Sequence, residues 1–272
     1  MADCNHDCSS CGEENCSSRI EKAKLNDRSK IKKIIGVLSG KGGVGKSYIT
    51  SLLAVYLNRQ GYKVGILDAD ITGPSIPKAF GIKEKAYGED GLIYPLVSNG
   101  GIKIMSANLL LEDESDPIVW RGPLLGGLIK QFYEEVLWEE LDYLLIDMPP
   151  GTGDVALTVF QQLPVDDLII VTSPQDLVSL IVTKAIKMAN MMNIKVLGVI
   201  ENMSYLVCPD CGKHISLFGE SHLEKFSKEM KFDILAKLPL VSLNTSLVDK
   251  GLVEQITLDE IKPAIEAIIK EN

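Results

Sequence analysis

The stretch IIGVLSGKGGVGKS at residues 34–47 decides the fold of this chain. An apolar, β-branched run comes first, a glycine-rich loop follows it, and an apolar periodic stretch then continues to Gly61. This order predicts a buried strand, a loop and a helix. The loop from Gly40 to Ser47 fits the pattern G-x-x-x-x-G-K-[ST] and stands between a predicted strand and a predicted helix. A nucleotide site is therefore the first expectation.

The residue types in this loop suit the phosphates of a nucleotide. Glycines let backbone N–H groups converge on phosphate oxygens, and the helix N-terminus adds partial positive charge. We expect the Lys46 ammonium to reach the β- and γ-phosphates of ATP and the Ser47 hydroxyl to coordinate Mg²⁺. The other predicted nucleotide contacts are Gly40, Lys41, Gly42, Gly43, Val44 and Gly45. A glycine-rich turn without a ligand is the alternative, and the strand–loop–helix context argues against it.

Carboxylates stand at two further predicted strand ends. LLIDMPPGTGD places Asp147 where it could hold Mg²⁺ through water. ILDADITGPS places Asp68 and Asp70 at another strand end, and Asp70, just past the strand, could orient or deprotonate the attacking water. A solvated strand end would explain any one of them, whereas three carboxylates converging on one phosphate loop favour a catalytic site.

Strands and helices are predicted to alternate along the rest of the chain. Further buried strands are predicted at 63–70, 101–107, 142–150, 167–174 and 195–202, and helical patterns at 124–137, 155–162 and 177–193. Continuous apolar strands with intervening helices predict an α/β fold, with a mostly parallel sheet and helices on both faces. Right-handed crossovers place the strand-to-helix loops along one edge of such a sheet, where ligands bind.

The chain divides into a predicted arm and a predicted domain. Residues 1–33 lack hydrophobic periodicity and are expected to form a flexible, cysteine-rich arm, with order beginning at Ile34. Residues 34–272 contain no internal repeat and no long Pro- or Ser-rich linker. They are expected to form one ATPase domain that carries a C-x-x-C metal-binding loop.

Composition and charge exclude several classes of function. The 272 residues include 28 Lys+Arg and 37 Asp+Glu, and this net charge of −9 argues against non-specific nucleic-acid binding. No apolar run approaches the roughly 18 residues that span a membrane, so no membrane partner is expected. The N-terminus lacks the basic region and apolar core of a secretory signal, so we expect a cytoplasmic, reducing setting.

The six cysteines fall into two groups. Cys208 and Cys211 form a C-x-x-C pair, and the others lie in the arm at Cys4, Cys8, Cys11 and Cys16. In a reducing compartment, such clusters favour thiolate metal ligands over disulfides. A zinc knuckle or a cubane iron–sulfur cluster takes about four ligands, so the pair needs partners. It could be half of a zinc ribbon, it could meet its own copy across a two-fold axis, or its thiols could be idle.

The arm cysteines carry their own alternatives. Four thiolates on one flexible segment suffice for one iron–sulfur cluster or one zinc ion, or they could form a tail that acquires metal transiently. The three histidines, His6, His214 and His222, are expected to lie outside the ligand sets.

Lys41 directly follows the first glycine of the loop. With a lysine at this place, GKGGVGKS resembles the deviant Walker A motif of the signature-lysine ATPases, which include the Min and Par positioning proteins and the nitrogenase iron protein. The resemblance implies a MinD-like P-loop NTPase architecture. It also implies that Lys41 crosses the interface of a homodimer that sandwiches the nucleotide.

Further motifs narrow the resemblance. DADITGPSIP, VWRGPLLGGLIKQF, DYLLIDMPPGTGD, GVIENMSYLVCPDCG and a late LPL together resemble the Mrp/ApbC branch of iron–sulfur cluster carrier ATPases, over about residues 31–272. By that resemblance Asp70 is the switch I carboxylate, Asp147 the switch II magnesium residue and Asn202 the adenine reader. Tyr48 departs from the family, which usually has a small hydroxyl residue at this place.

The resemblance implies a function for the whole chain. It describes a homodimeric ATPase that holds a [4Fe-4S] cluster between two subunits at Cys208 and Cys211 and transfers it to apo iron–sulfur proteins. A Min/Par-type positioning ATPase is one alternative, but its membrane-binding form needs a basic amphipathic tail. The tail TLDEIKPAIEAIIKEN has two Lys against four Asp/Glu and contains Pro263. A zinc or nickel metallochaperone is the other alternative, which metal analysis can test.

Overall fold

The structure is a computed structural model and describes residues 22–70, 75–110, 122–174, 178–219 and 221–270. Its strands are β1 (Lys30–Ser39), β2 (Val64–Asp68), β3 (Tyr87–Glu89), β4 (Leu92–Tyr94), β5 (Leu96–Val97), β6 (Lys103–Ser106), β7 (Glu140–Asp147), β8 (Asp167–Thr172), β9 (Lys195–Val207), β10 (His214–Ile215) and β11 (Ile234–Pro239). Its α-helices are α1 (Lys46–Arg59), α2 (Ile76–Ala79), α3 (Gly122–Glu135), α4 (Asp154–Gln162), α5 (Val178–Met191), α6 (Leu223–Met230), α7 (Ser242–Asp249) and α8 (Lys262–Lys270). Among these described helices, none combines the length and apolar character needed to cross a membrane.

A mostly parallel sheet forms the centre of the molecule. Its described strands run in the order β10-β9-β8-β1-β7-β2-β6-β5, and β11 pairs with β9. The pairs formed by β5 with β6 and by β10 with β9 are antiparallel, and the other pairs of this sheet are parallel. β3 and β4 form a separate antiparallel hairpin. The predicted sheet class is confirmed.

Helices cover both faces of this sheet. β1 places Ile35 and Val37 in one apolar cluster and Ile34 and Leu38 in another, because alternate side chains of a strand point to opposite faces. The first cluster includes apolar residues of α1 and α8, and the second includes apolar residues of α3, α4 and α5. Strands covered on both faces can be apolar without alternation, which explains the continuous runs in β2 and β8.

The chain before β1 differs from the expectation. The Asn26 side-chain amide donates to the carbonyl oxygens of Glu134 and Val136 over 2.8 and 2.9 Å, and β1 begins at Lys30. Order therefore begins before Ile34, and that expectation is wrong. These contacts are polar hydrogen bonds to a distant part of the chain, and such contacts leave no hydrophobic periodicity in the sequence. The division into arm and domain stays a prediction.

The C-terminal side of the sheet is larger than predicted. β9 continues to Val207 instead of ending near Asn202, and β11 pairs with it over residues 234–239. The outer part of β9 is only half-buried, so its side chains lack the continuous apolar run that marked the central strands. These two strands, together with α7, form one wall of the site described below.

Candidate nucleotide and metal site

The glycine-rich loop joins β1 to α1, as predicted. Gly45 has a φ of 84°, a left-handed conformation that glycine adopts without strain, and it precedes the first turn of α1. A Cβ atom at Gly45 would also lie 2.3 Å from Nδ2 of Asn202, so the close approach of this side chain requires glycine. At the start of the loop, a Cβ atom on Gly40 would overlap the side chain of Ile181 on α5. The two glycines thus let β9 and α5 approach the loop.

Lys46 is buried in a group of carboxylates. Only 5% of its side chain is exposed, and its Nζ lies 2.8 Å from Oδ1 of Asp147 and 3.4 Å from Oδ2 of Asp70. Asp147 ends β7 and Asp68 ends the neighbouring strand β2, where the two residues pair in register. The structure therefore brings together the three carboxylates that the sequence placed at strand ends.

Ser47 and Thr50 hold the Asp147 carboxylate from α1. The Ser47 hydroxyl donates to Oδ2 of Asp147, and the Thr50 hydroxyl donates to Oδ1 over 2.8 Å. Sequence reasoning missed Thr50, although it stands one helical turn after Lys46 and so faces the same side. Hydroxyl and carboxylate oxygens are the ligands that Mg²⁺ prefers, so the donor set formed by Ser47 and Asp147 fits this ion.

Burial and charge set the protonation of the inner carboxylates. Burial first, and then the charge of Asp147, raise the pKa of Asp68 to about 8. Burial also raises the pKa of Asp147, while Lys46 and the hydrogen bonds to Ser47 and Thr50 act in the opposite direction. Fully buried carboxylates close together favour any added positive charge, and a divalent cation beside Asp147 would supply it.

Asp68 and Asp70 have different places, which the sequence did not distinguish. Asp68 accepts hydrogen bonds from the backbone N–H of Asp70 and from the Ser106 hydroxyl, each over 3.2 Å. It therefore shapes the turn that carries Asp70. The Asp70 side chain lies nearer the surface, at 13% exposure, and helps to line the pocket over the phosphate-binding loop.

Two pockets meet at this loop. The phosphate-side pocket is lined by Ser39, Gly42, Gly43, Gly45, Lys46, Ser47, Tyr48, Asp70, Ser75, Ala79, Pro150 and Val248. The base-side pocket is lined by Gly45, Tyr48, Asn202, Met203, Pro239, Leu240, Val241, Asn244, Thr245 and Val248. Apolar side chains dominate the second list, and a few amides and hydroxyls accompany them, as in sites for planar organic groups.

Asn202 lies where the base-side pocket touches the loop. Its side chain is buried, and its Nδ2 donates to the carbonyl oxygen of Val44 over 2.9 Å. The next residue, Met203, has a φ of 56°, which is uncommon outside glycine and turns β9 locally at this pocket. Asn202 thus stands beside the phosphate-binding loop, and its role as the adenine reader stays a prediction.

The C-x-x-C pair lies at the tip of the hairpin between β9 and β10. The backbone N–H of Cys208 donates to the carbonyl of Lys213, and the N–H of Gly212 donates to the carbonyl of Cys208, both over 2.9 Å. Hydrogen bonds from the backbone N–H groups of Cys211 and Asp210 lower the pKa of the Cys208 thiol. Metals bind the thiolate form of cysteine, so a lowered pKa is compatible with metal binding at Cys208.

One chain contributes two free thiols at this hairpin, those of Cys208 and Cys211. Within the ranges that the structure describes, no group of three or more His, Cys, Asp or Glu side chains could hold a metal ion. The His214 ring stacks on Tyr205 with centroids 4.1 Å apart. The arm cysteines Cys4, Cys8, Cys11 and Cys16 and the arm histidine His6 lie outside the described residues.

A family model described as the NUBPL iron-transfer P-loop NTPase matches residues 30–271. The chain belongs to this family. The predicted resemblance to iron–sulfur cluster carrier ATPases is therefore confirmed for this P-loop NTPase.

Individual relatives match over most of their length. An iron–sulfur cluster carrier protein of Clostridium perfringens is 46% identical over 257 residues, which cover 91% of this P-loop NTPase and 90% of the relative. An iron–sulfur cluster carrier protein of Methanocaldococcus jannaschii is 45% identical over 286 residues. This match covers 100% of this P-loop NTPase and 98% of the relative. The solved structure of a nucleotide-binding protein of Archaeoglobus fulgidus, in complex with ADP, has a TM-score of 0.77 at 44% identity. The match covers 85% of this P-loop NTPase and 91% of that chain.

A more distant structure shares the fold of this P-loop NTPase. The cell-division ATPase MinD of Pyrococcus furiosus has a TM-score of 0.63 at 20% identity, with 88% and 99% of the chains covered. The predicted MinD-like architecture is confirmed by this likeness. At this identity the likeness concerns the fold alone and gives no support to a positioning function.

Proposed function

We propose that this P-loop NTPase is an ATP-hydrolysing homodimer that holds a [4Fe-4S] cluster at Cys208 and Cys211 of both subunits and transfers it to apo-proteins. The observation that carries this proposal is the path of β9. One strand lines the base-side pocket with Asn202 and then leads directly into the cysteine hairpin. A nucleotide site and a thiolate pair are therefore parts of one structural element.

The nucleotide half of the proposal rests on the buried Lys46 cluster. Phosphate oxygens would compete with Asp147 and Asp70 for the Lys46 ammonium, which lies within 3.4 Å of both carboxylates. Ser47 and Asp147 would hold Mg²⁺, which supplies neutralisation of the phosphate charge. Asp70, at the wall of the phosphate-side pocket, would orient the attacking water and accept its proton.

The cargo half of the proposal rests on an incomplete ligand set. Two thiolates from one chain leave a cubane cluster short of its usual four protein ligands. Four large apolar residues in the same hairpin region are exposed over 40% to 46% of their surface: Val207, Ile215, Leu217 and Phe218. A second copy placed across a two-fold axis would supply the missing thiolates and cover these side chains.

Contacts along β9 connect the base-side pocket to the cysteine hairpin. Cys208 follows Asn202 by six positions, a distance of at most about 20 Å along the strand. Midway, the carbonyl of Tyr205 accepts the N–H of Leu240, a residue of the base-side pocket, over 2.7 Å. The Tyr205 ring also stacks on His214 of the hairpin. A nucleotide that moves the pocket wall would thereby move the cysteine hairpin.

The transfer reaction itself tests this proposal. The full chain is reconstituted anaerobically, its iron, sulfide and zinc are counted, and delivery to an apo [4Fe-4S] acceptor is followed with ATP, ADP or a non-hydrolysable ATP analogue. We expect iron and sulfide in equal amounts, and a transfer rate that depends on which nucleotide is present. One tightly held zinc per chain without iron would instead support the metallochaperone alternative.

Complementation between subunits tests the roles of Asp70 and Lys41. Asp70→Asn should retain nucleotide affinity and lose about 10²–10⁴-fold in turnover, because an amide cannot accept the water proton. If Lys41 serves the partner's nucleotide, a dimer of one Lys41→Ala subunit and one Asp70→Asn subunit retains one complete site. We expect ATPase activity to return in such heterodimers, while each variant alone stays inactive. Purified heterodimers without activity would place the action of Lys41 within its own chain.

A further inference from the structure

Tyr48 lies where the two pockets meet. Gly45, Tyr48 and Val248 line both the phosphate-side and the base-side pocket. Gly45 has no side chain and Val248 is apolar, so Tyr48 supplies the polar side-chain group at this junction. A nucleotide whose base lies beside Asn202 and whose phosphates lie at Lys46 has its ribose between them, and hence at the junction.

The Tyr48 hydroxyl is held by α7. Asn244 is buried, and its Nδ2 donates to the hydroxyl oxygen of Tyr48 over 3.0 Å. Asn244 lines the base-side pocket, whereas it is absent from the lining of the phosphate-side pocket. This contact therefore places the hydroxyl towards the base side of the junction. A small hydroxyl residue at position 48 would remain beside the loop, because only the aromatic ring carries the hydroxyl as far as α7.

The same contact fixes which hydrogen bond the hydroxyl can still make. A phenol has an ordinary pKa of about 10, so the hydroxyl keeps its proton at neutral pH. Because Asn244 donates to the oxygen, the hydroxyl proton remains for an acceptor. Within the described parts of the chain, no group accepts it. The junction thus presents one oriented donor.

We propose that Tyr48 recognises the ribose of the bound nucleotide by donating its hydroxyl proton to a ribose hydroxyl oxygen, with Asn244 as the positioning residue. This inference rests on the proposed function, because it requires an adenine nucleotide with its base in the base-side pocket. It adds a contact that the phosphate-binding loop does not provide. Selection between ribose and deoxyribose then depends on Tyr48.

Calorimetric titration of the full chain with ADP, 2′-deoxyADP and 3′-deoxyADP, in the presence of Mg²⁺, tests the inference. The wild-type protein should bind ADP about fivefold more tightly than at least one deoxy analogue, as one neutral hydrogen bond implies. Tyr48→Phe should remove this preference and leave the affinity for that analogue unchanged. An equal loss for all three nucleotides, or a preference that survives in Tyr48→Phe, would overturn the inference.

Asn244→Asp gives a second test with the tyrosine ring in place. The carboxylate accepts the Tyr48 proton and withdraws it from the ribose, so the preference for ADP should disappear as it does in Tyr48→Phe. The readout is the ratio of the affinity for ADP to that for each deoxy analogue, because the added negative charge weakens the binding of all three nucleotides alike. Tyr62→Phe, at a half-buried ring that packs on Tyr143 away from both pockets, is the matched control and should keep the preference.

The outcomes separate this inference from the proposed function. A wild-type protein that binds no ADP overturns both. A wild-type protein that binds ADP without any ribose preference overturns the role of Tyr48 and leaves the nucleotide site in place. Melting temperatures of the variants, measured alongside, show whether each one is folded.

Discussion

Lys46→Ala should abolish ATP hydrolysis and leave cluster loading intact. The Lys46 ammonium is buried beside Asp147 and Asp70, where the phosphates of ATP would lie. Its loss removes the positive charge that offsets the developing negative charge on the phosphates, and we expect turnover to fall by at least about 10³-fold. Iron loading should persist, because the thiolate pair lies on the hairpin beyond β9. Phosphate release and iron per chain, measured on the same preparation, check both parts.

Stability has to be separated from catalysis in this variant. Lys46→Ala leaves the buried Asp147 carboxylate without its ion-pair partner, which costs about 3–5 kcal/mol of unfolding free energy when such a pair is broken. The double variant Lys46→Ala/Asp147→Asn removes the uncompensated charge, so it should recover most of the lost stability and none of the ATPase activity. Lys32→Ala, which removes an exposed lysine paired with Asp142, is the control of equal charge and should hydrolyse ATP normally. Wild-type turnover in Lys46→Ala would refute the assignment of this loop.

The sequence was most informative where the determinants are local. The phosphate-binding loop is contained in eight consecutive residues, 40–47, and the central strands are continuous apolar runs, so both could be predicted directly. The convergence of Asp68, Asp70 and Asp147 could also be predicted, because parallel strands end at one edge of the sheet. All these features depend on neighbours in the chain or on a general rule of sheet geometry.

The sequence was least informative where distant segments meet. Asn244 contacts Tyr48 across 196 residues of chain, and α7 has no sequence pattern that links it to the loop. The buried state of Asp68 and the more exposed state of Asp70 result from packing around the end of β2, which adjacent letters in the sequence do not encode. The early start of β1 has the same origin, since Asn26 is held by carbonyl groups more than 100 residues away.

Cys208→Ser and Cys211→Ser should each remove the proposed bridging cluster and abolish transfer to an apo-acceptor. The test belongs in a full-length chain whose arm cysteines, Cys4, Cys8, Cys11 and Cys16, are replaced by serine, because the hairpin pair is then the only source of thiolates. That parent chain should load about two irons per chain, the content of one cubane cluster shared by two subunits. Either serine variant should fall to background iron, since one thiolate per subunit cannot hold a cubane. Nucleotide binding should persist in both.

A control variant at His214 and the oligomeric state of the loaded protein decide whether two subunits share the ligands. His214→Gln changes a histidine beside the pair that packs on Tyr205, and it should keep the iron if the thiolates alone are the ligands. Loaded parent protein should elute as a dimer, and mixed dimers with one subunit lacking both hairpin thiols should lose the cluster. About four irons on a monomer, or iron retained in Cys208→Ser, would contradict a shared site. A shared site would also give the nucleotide a purpose in a carrier. If the four thiolates belong to two chains, a movement of β9 imposed by ATP would change the distance between the two pairs of ligands and would release the cluster.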